Sequence, residues 1–191
     1  MPDGAGRTDA GVHALGQVAC FKTQSNIPAE KFALALNSLL SPGVCVLRSE
    51  EAPLDCHPRF SAKGKHYRYL ILNRKQRSPL WENRAWHVRD ELDLEAMAKA
   101  ASYLEGTHYF RAFCASGHQN KTFERTITHS AWTFQGEILC YDTKGNGFLY
   151  NMVRIMTGAM VDIGRGRYAP EVILEAFETG DRNTLGMTAP A

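Results

Sequence analysis

Residues 145–164 constrain this 191-residue chain more than any other stretch. Gly145-Asn146-Gly147-Phe148-Leu149-Tyr150-Asn151-Met152-Val153-Arg154-Ile155-Met156-Thr157-Gly158 opens a helical run that ends at Ile163-Gly164-Arg165-Gly166-Arg167. The run is apolar nearly all round, and a helix without a polar face must be largely buried. Arg154 lies inside it. An unpaired guanidinium taken out of water is costly, so the fold has to bring a carboxylate to it. Glu137 or Asp142 would make a structural pair, and Asp9 would come from the far end of the chain. Helical spacing places Gly147, Asn151, Arg154 and Gly158 on one stripe, with small residues beside the single cation. A loop such as Gly6 to Gly11 would have room to press there.

That loop belongs to Gly4-Ala5-Gly6-Arg7-Thr8-Asp9-Ala10-Gly11-Val12-His13-Ala14. Its glycines allow backbone conformations that other residues avoid and close approach of a partner. Three accounts are open. The glycines would cradle a phosphate, although neither established phosphate-loop spacing is present. Arg7 and Asp9 would form a structural ion pair. Asp9 would act as a nucleophile or acid/base beside a substrate-binding Arg7. Leu15 to Thr23 follows as an expected strand, covered on both faces.

Further along, Pro28 opens a helix with Phe32, Leu36, Leu39 and Leu40 as its apolar stripe, stopped by Ser41-Pro42-Gly43. Val44 to Arg48 reads as a short strand. Arg59 to Arg77 holds seven basic residues (Arg59, Lys63, Lys65, Arg68, Arg74, Lys75, Arg77) and no acidic one. It is either a solvated strand face or a track for a phosphate backbone, with Tyr67 and Tyr69 interleaved. On a strand, Lys65, Tyr67, Tyr69 and Ile71 share one face. Asp93 caps a helix through Leu94, Met97, Ala98, Ala101 and Leu104. Ala131 to Phe134 and Glu137 to Thr143 form a hairpin around Gln135-Gly136, and Pro170 to Thr179 forms a last helix.

A net charge of +2 does not by itself suggest nucleic acid, and no segment approaches eighteen consecutive apolar residues. Five widely spaced cysteines without a Cys-x-x-Cys pair fit free thiols in a reducing cytoplasm. A zinc site from Cys56, His57, Cys114 and His118 lacks paired-ligand spacing.

Gly4 to Ala14 resembles the active-site motif of the TruA-type tRNA pseudouridine synthases, agreeing at eleven consecutive positions. Arg59-Phe60-Ser61-Ala62-Lys63-Gly64-Lys65-His66-Tyr67-Arg68-Tyr69 resembles the family's second motif, with His66 where threonine is common. Gly106-Thr107-His108-Tyr109-Phe110 resembles a family loop, with Tyr109 replacing the usual aspartate. Gly147 to Met156 resembles the third motif.

The resemblance implies an α+β fold, with a central, mainly antiparallel sheet of two ferredoxin-like halves flanked by helices. Residues 1–60 would be the remainder of the N-terminal half carrying the catalytic loop, and 61–191 the C-terminal half completing the RNA-binding cleft. Family members carry a strand–helix unit before the loop and a strand after Thr-Ala-Pro-Ala, so a chain truncated at both ends is expected. The implied function is isomerisation of uridine to pseudouridine at tRNA nucleotides 38 to 40 in the anticodon stem-loop. The alternative is a catalytically silent RNA-binding fragment. Asp9 would be the catalytic residue and Arg154 its counter-charge. Tyr67 would pack on the target base, and Arg7, His13, Lys63, Lys65 and Arg68 would contact RNA. No cofactor or metal is implied. The partners would be tRNA and a second copy in a homodimer, in the cytoplasm and away from membranes.

Overall fold

The computed structural model describes residues 2–6, 8–117 and 122–191, which form two compact units. The larger unit comprises Asp9–Val12 and Lys63–Ala191, the smaller one residues 2–6, Thr8 and His13–Ala62.

In the larger unit, five strands make one sheet: β3 (Lys65–Asn73), β4 (Trp86–Val88), β5 (Gly106–Tyr109), β6 (Glu124–Gln135) and β7 (Ile138–Gly145). Their order is β4-β3-β7-β6-β5, and only the edge pair β3–β4 is parallel. The α+β, mainly antiparallel expectation holds. The predicted hairpin is β6–β7, longer than its apolar residues alone suggested. In the β3–β7 ladder Tyr67 stands opposite Thr143, Tyr69 opposite Tyr141 and Ile71 opposite Leu139.

Alternation along the strands divides the sheet into two faces. Ile71, Leu139, Tyr141 and Ile127 join the main core with three helices: α2 (Leu94–Tyr103), α3 (Met152–Gly164) and α4 (Val172–Thr179). Leu72, Ile138 and Cys140 face the other way, packed with Leu70, Trp81 and Ala85. Asp93 caps α2 as expected, its carboxylate accepting the Ala96 N–H at 2.9 Å.

The helix α3 is buried from Ile155 to Gly164. It starts at Met152, because Asn151 sits in the left-handed region at φ 57° and ends the preceding turn. Gly147 is therefore outside the helix, which corrects the expected four-residue stripe. At Gly158 the occupant is also not the glycine loop. A Cβ there would lie 2.1 Å from Met187 O, so it is the main chain of residues 187–189 that presses on the helix.

The smaller unit departs further from the expectations. Of Leu15–Thr23 only β2 (Ala19–Cys20) is a strand, paired antiparallel with β1 (Asp3–Gly4). A ladder extends only as far as its partner does. Leu15 is 98% exposed, and Val18 and Phe21 are also exposed rather than covered on both faces. Residues 44–48 form no strand. The first helix is a 3-10 turn, Ala29–Lys31, followed by α1 (Phe32–Asn37), and it ends before Leu39 and Leu40.

All five cysteines are free thiols. Among the described residues no group of three His, Cys, Asp or Glu could hold a metal ion, and no helix is long and apolar enough to cross a membrane. His118, of the zinc alternative, lies outside the described residues.

Candidate active site

The stem of the glycine loop is built by backbone pairing. Ala5 N–H donates to Val18 O at 2.9 Å beyond the β1–β2 pair, and Gln17 Nε2 donates to Gly6 O at 2.7 Å. Its tip, Asp9–Val12, is a tight turn closed by Val12 N–H to Asp9 O at 3.1 Å. Gly11 occupies the third position at φ 90°, a conformation that demands glycine. A Cβ at Gly11 would touch Ala191 at 3.5 Å, while one at Gly4 would meet nothing within 4 Å. The requirement for glycine on grounds of conformation therefore falls on Gly11.

This turn presents Asp9 to α3. Arg154 Nη1 donates to Asp9 Oδ2 at 2.7 Å, and the two side chains are 23% and 29% exposed. Arg154 has thus found its carboxylate in Asp9, not in Glu137 or Asp142. Asp142 is taken by Arg68 and His66, and Glu137 by Arg74 and Trp81. The expectation that both partners would be largely buried is corrected to a half-buried pair. Arg154 is further bonded to Asn151 Oδ1 (Nη1, 3.3 Å) and Ala189 O (Nε, 2.9 Å).

Tyr67 stands on β3 with its ring edge-on to Phe148, the centroids 5.0 Å apart. Burial, and then the negative charge of Asp9, push its phenol above the ordinary tyrosine value. Tyr69, two residues on, lies on the same face, and burial pushes its phenol up while the Arg154 charge partly offsets this. One strand thus carries both Tyr67 and Tyr69, and α3 carries the arginine that pairs with Asp9.

The remaining predicted residues are dispersed. Lys63 is exposed just before β3, and Lys65 opens β3 half-buried on the Tyr67 face. Arg68 points to the opposite face, where its Nε bonds both Asp142 oxygens at 2.9 and 3.2 Å. Burial alone would raise the Asp142 carboxyl, but the bonds from Arg68 and His66 prevail and hold it below its usual range. His13 is an exposed residue of the smaller unit. Arg7 lies outside the described residues. Asn151, Phe148, Tyr69 and the Ala189 carbonyl were given no role at the site from sequence. The first three stand inside the quoted motifs, but a backbone carbonyl has no sequence signal at all.

Comparison with known proteins identifies the family. Residues 3–61 and 100–191 match the family described as tRNA pseudouridine synthase. The chain belongs to that family. It is 47% identical over 188 residues to tRNA pseudouridine synthase A of Acetivibrio thermocellus, covering 98% of this chain and 77% of the relative. The corresponding protein of Moorella thermoacetica is 46% identical over 190 residues, covering 100% and 77%. tRNA pseudouridine synthase A 2 of Clostridium tetani is 48% identical over 188 residues, covering 98% and 76%.

Proposed function

We propose that this chain isomerises uridine to pseudouridine in tRNA, at nucleotides 38 to 40 of the anticodon stem-loop, with Asp9 as its catalytic carboxylate. The observation that carries the proposal is the 2.7 Å pair between Asp9 and Arg154. The reaction breaks the N1–C1′ bond, turns the uracil in place and joins C5 to C1′. C5 loses a proton and N1 gains one, so atoms and electrons balance within the nucleotide. The Asp9 carboxylate acts as a nucleophile at C1′ or as a base that takes a proton from the sugar. Arg154 offsets its charge at a partly desolvated position, where water would otherwise be its only counterweight. Tyr67 packs on the uracil once it has left the stack.

Lys63, Lys65, Arg68, Arg7 and His13 are assigned to the RNA. Residues 1–60 form the half that delivers the catalytic loop, and 61–191 the half that bears Tyr67 and Arg154. The working form is a cytoplasmic homodimer, which light scattering on the purified protein checks. The test of function is incubation with unmodified tRNA followed by nucleoside analysis for pseudouridine. Asp9→Asn is expected to abolish product while tRNA affinity stays within about tenfold, because the isostere keeps shape and loses nucleophilicity. Product formation by Asp9→Asn removes Asp9 from the role. No product from the wild-type chain leaves the RNA-binding alternative.

A further inference from the structure

Asp9 is only one of the groups that fix Arg154. Arg154 Nε donates to Ala189 O at 2.9 Å, and Ala189 N–H donates back to Arg154 O at 3.0 Å. The guanidinium is a rigid planar fork, so anchoring Nε decides where Nη1 points. Here Nη1 points at Asp9 Oδ2. The location of the Ala189 carbonyl thereby sets the location of the Asp9 counter-charge.

Residues 185–190, which carry that carbonyl, are neither helix nor strand. Side chains hold them. Arg182 Nη1 donates to Leu185 O at 2.8 Å and Gly186 O at 3.0 Å, and its Nη2 donates to Thr188 Oγ1 at 2.9 Å. Asp162, buried in α3 and bonded by Arg167 at 2.8 Å, accepts the Met187 N–H at 3.3 Å. At the other end the Tyr69 hydroxyl donates to Pro190 O at 2.6 Å, one residue from the carbonyl that holds Arg154.

We propose that Tyr69 is a positioning residue: through Pro190 and Ala189 it orients the Arg154 guanidinium against Asp9. Arg182 secures the opposite end of the same segment. The proposal rests on the assignment of Asp9 and Arg154 to the chemistry. It gives the two tyrosines of β3 separate tasks, Tyr67 toward the base and Tyr69 toward the arginine.

Tyr69→Phe removes one hydroxyl and keeps the ring edge-on to Trp86, at 6.4 Å between centroids. Two measurements test it on the whole chain. In single-turnover assays the rate of pseudouridine formation falls about ten- to hundredfold, as expected for a misplaced catalytic constellation, while tRNA affinity is unchanged. In nitrogen-15 NMR the Arg154 Nε–H signal, assigned by its loss in Arg154→Lys, shifts and exchanges with water about tenfold faster. An Arg154 signal unchanged in shift and exchange overturns the proposal even where the rate falls, whereas a moved signal with an unchanged rate overturns the assignment of Arg154 to the chemistry. Should Tyr69→Phe not fold, Arg182→Lys must move the same signal, and wild-type exchange there overturns it. The NMR measurement needs no turnover, so a failed catalytic assignment and a failed positioning role are told apart.

Discussion

Replacing Gly158 by alanine sets two effects of known sign against each other. In the middle of a helix, glycine to alanine alone stabilises by about 1 kcal/mol, through backbone entropy and propensity. At this position the new Cβ would stand 2.1 Å from Met187 O, 2.9 Å from Met187 C and 3.0 Å from Ala189 N. A comfortable C···O approach is about 3.3 Å, so the carbonyl would have to retreat by about 1.2 Å. These are backbone atoms of a segment fastened by Tyr69, Arg182 and Asp162, and none of them can rotate aside. Overpacking of this kind costs about 3 kcal/mol, the upper end of its usual range, which leaves a net loss of about 2 kcal/mol. For a domain of this size the melting temperature then falls by about 4–8 °C. Gly164→Ala is the control. There the Cβ meets Met97 Sδ at 2.6 Å and Leu92 Cδ2 at 3.3 Å, the ends of side chains that can move, so the loss is about 1 kcal/mol or less. Urea titrations of both variants, at equal slope, measure the difference. A Gly158→Ala protein as stable as the wild type, or more so, would refute the seating of residues 187–189 on α3.

Other measurements address the charges. Replacing Lys63 and Lys65 together weakens binding to all tRNAs alike and lowers the salt slope by about one to two, whereas an unchanged slope returns them to a solvated face. Asp142 gives a pH prediction with a definite sign. Its folded carboxyl lies below the ordinary value, so the unfolded chain binds the proton first as the solution is acidified. The contribution is whole above about pH 4 and is lost as pH falls through the lower folded value. Arg68→Met, which removes a bond to that carboxylate, is expected to raise the midpoint of acid unfolding. An unmoved midpoint would mean the pair contributes nothing in solution.

The parts of this molecule that could be read from sequence are those whose causes are local. Asp93 announces its helix because one carboxylate satisfies an N–H three residues on, and Gln135-Gly136 announces its hairpin because few residues turn a chain so tightly. The alternation that put Lys65, Tyr67, Tyr69 and Ile71 on one face also sends Arg68 to the other, where Asp142 waits across the ladder. The need of Arg154 for a carboxylate followed from the cost of burying a cation, but Glu137 and Asp142 met the same need. The choice of Asp9, 145 residues away, came from the motif resemblance. Leu15 to Thr23 failed because a strand is defined by its partner, and β1 offers only two residues. The late start of α3 failed because Asn151 can enter the left-handed region, a choice made by its surroundings. The Ala189 carbonyl could not be found, since every residue carries one.

The separation of these groups along the chain also has a consequence in time. Asp9 and Arg154 are 145 residues apart, Tyr69 and Pro190 121, and Ala189 follows Arg154 by another 35. At a synthesis rate of about 5–20 residues per second, the carboxylate exists for about 7–29 s before its arginine is made. The carbonyl that orients the arginine comes later still. During that interval the glycine loop can be closed at its stem while its acid remains hydrated and unengaged. A ribosome halted before Ala189 would hold both members of the pair without the group that aims one at the other. The proposed site of this chain is thus completed by residues translated well after the glycine loop and after all five strands of the sheet.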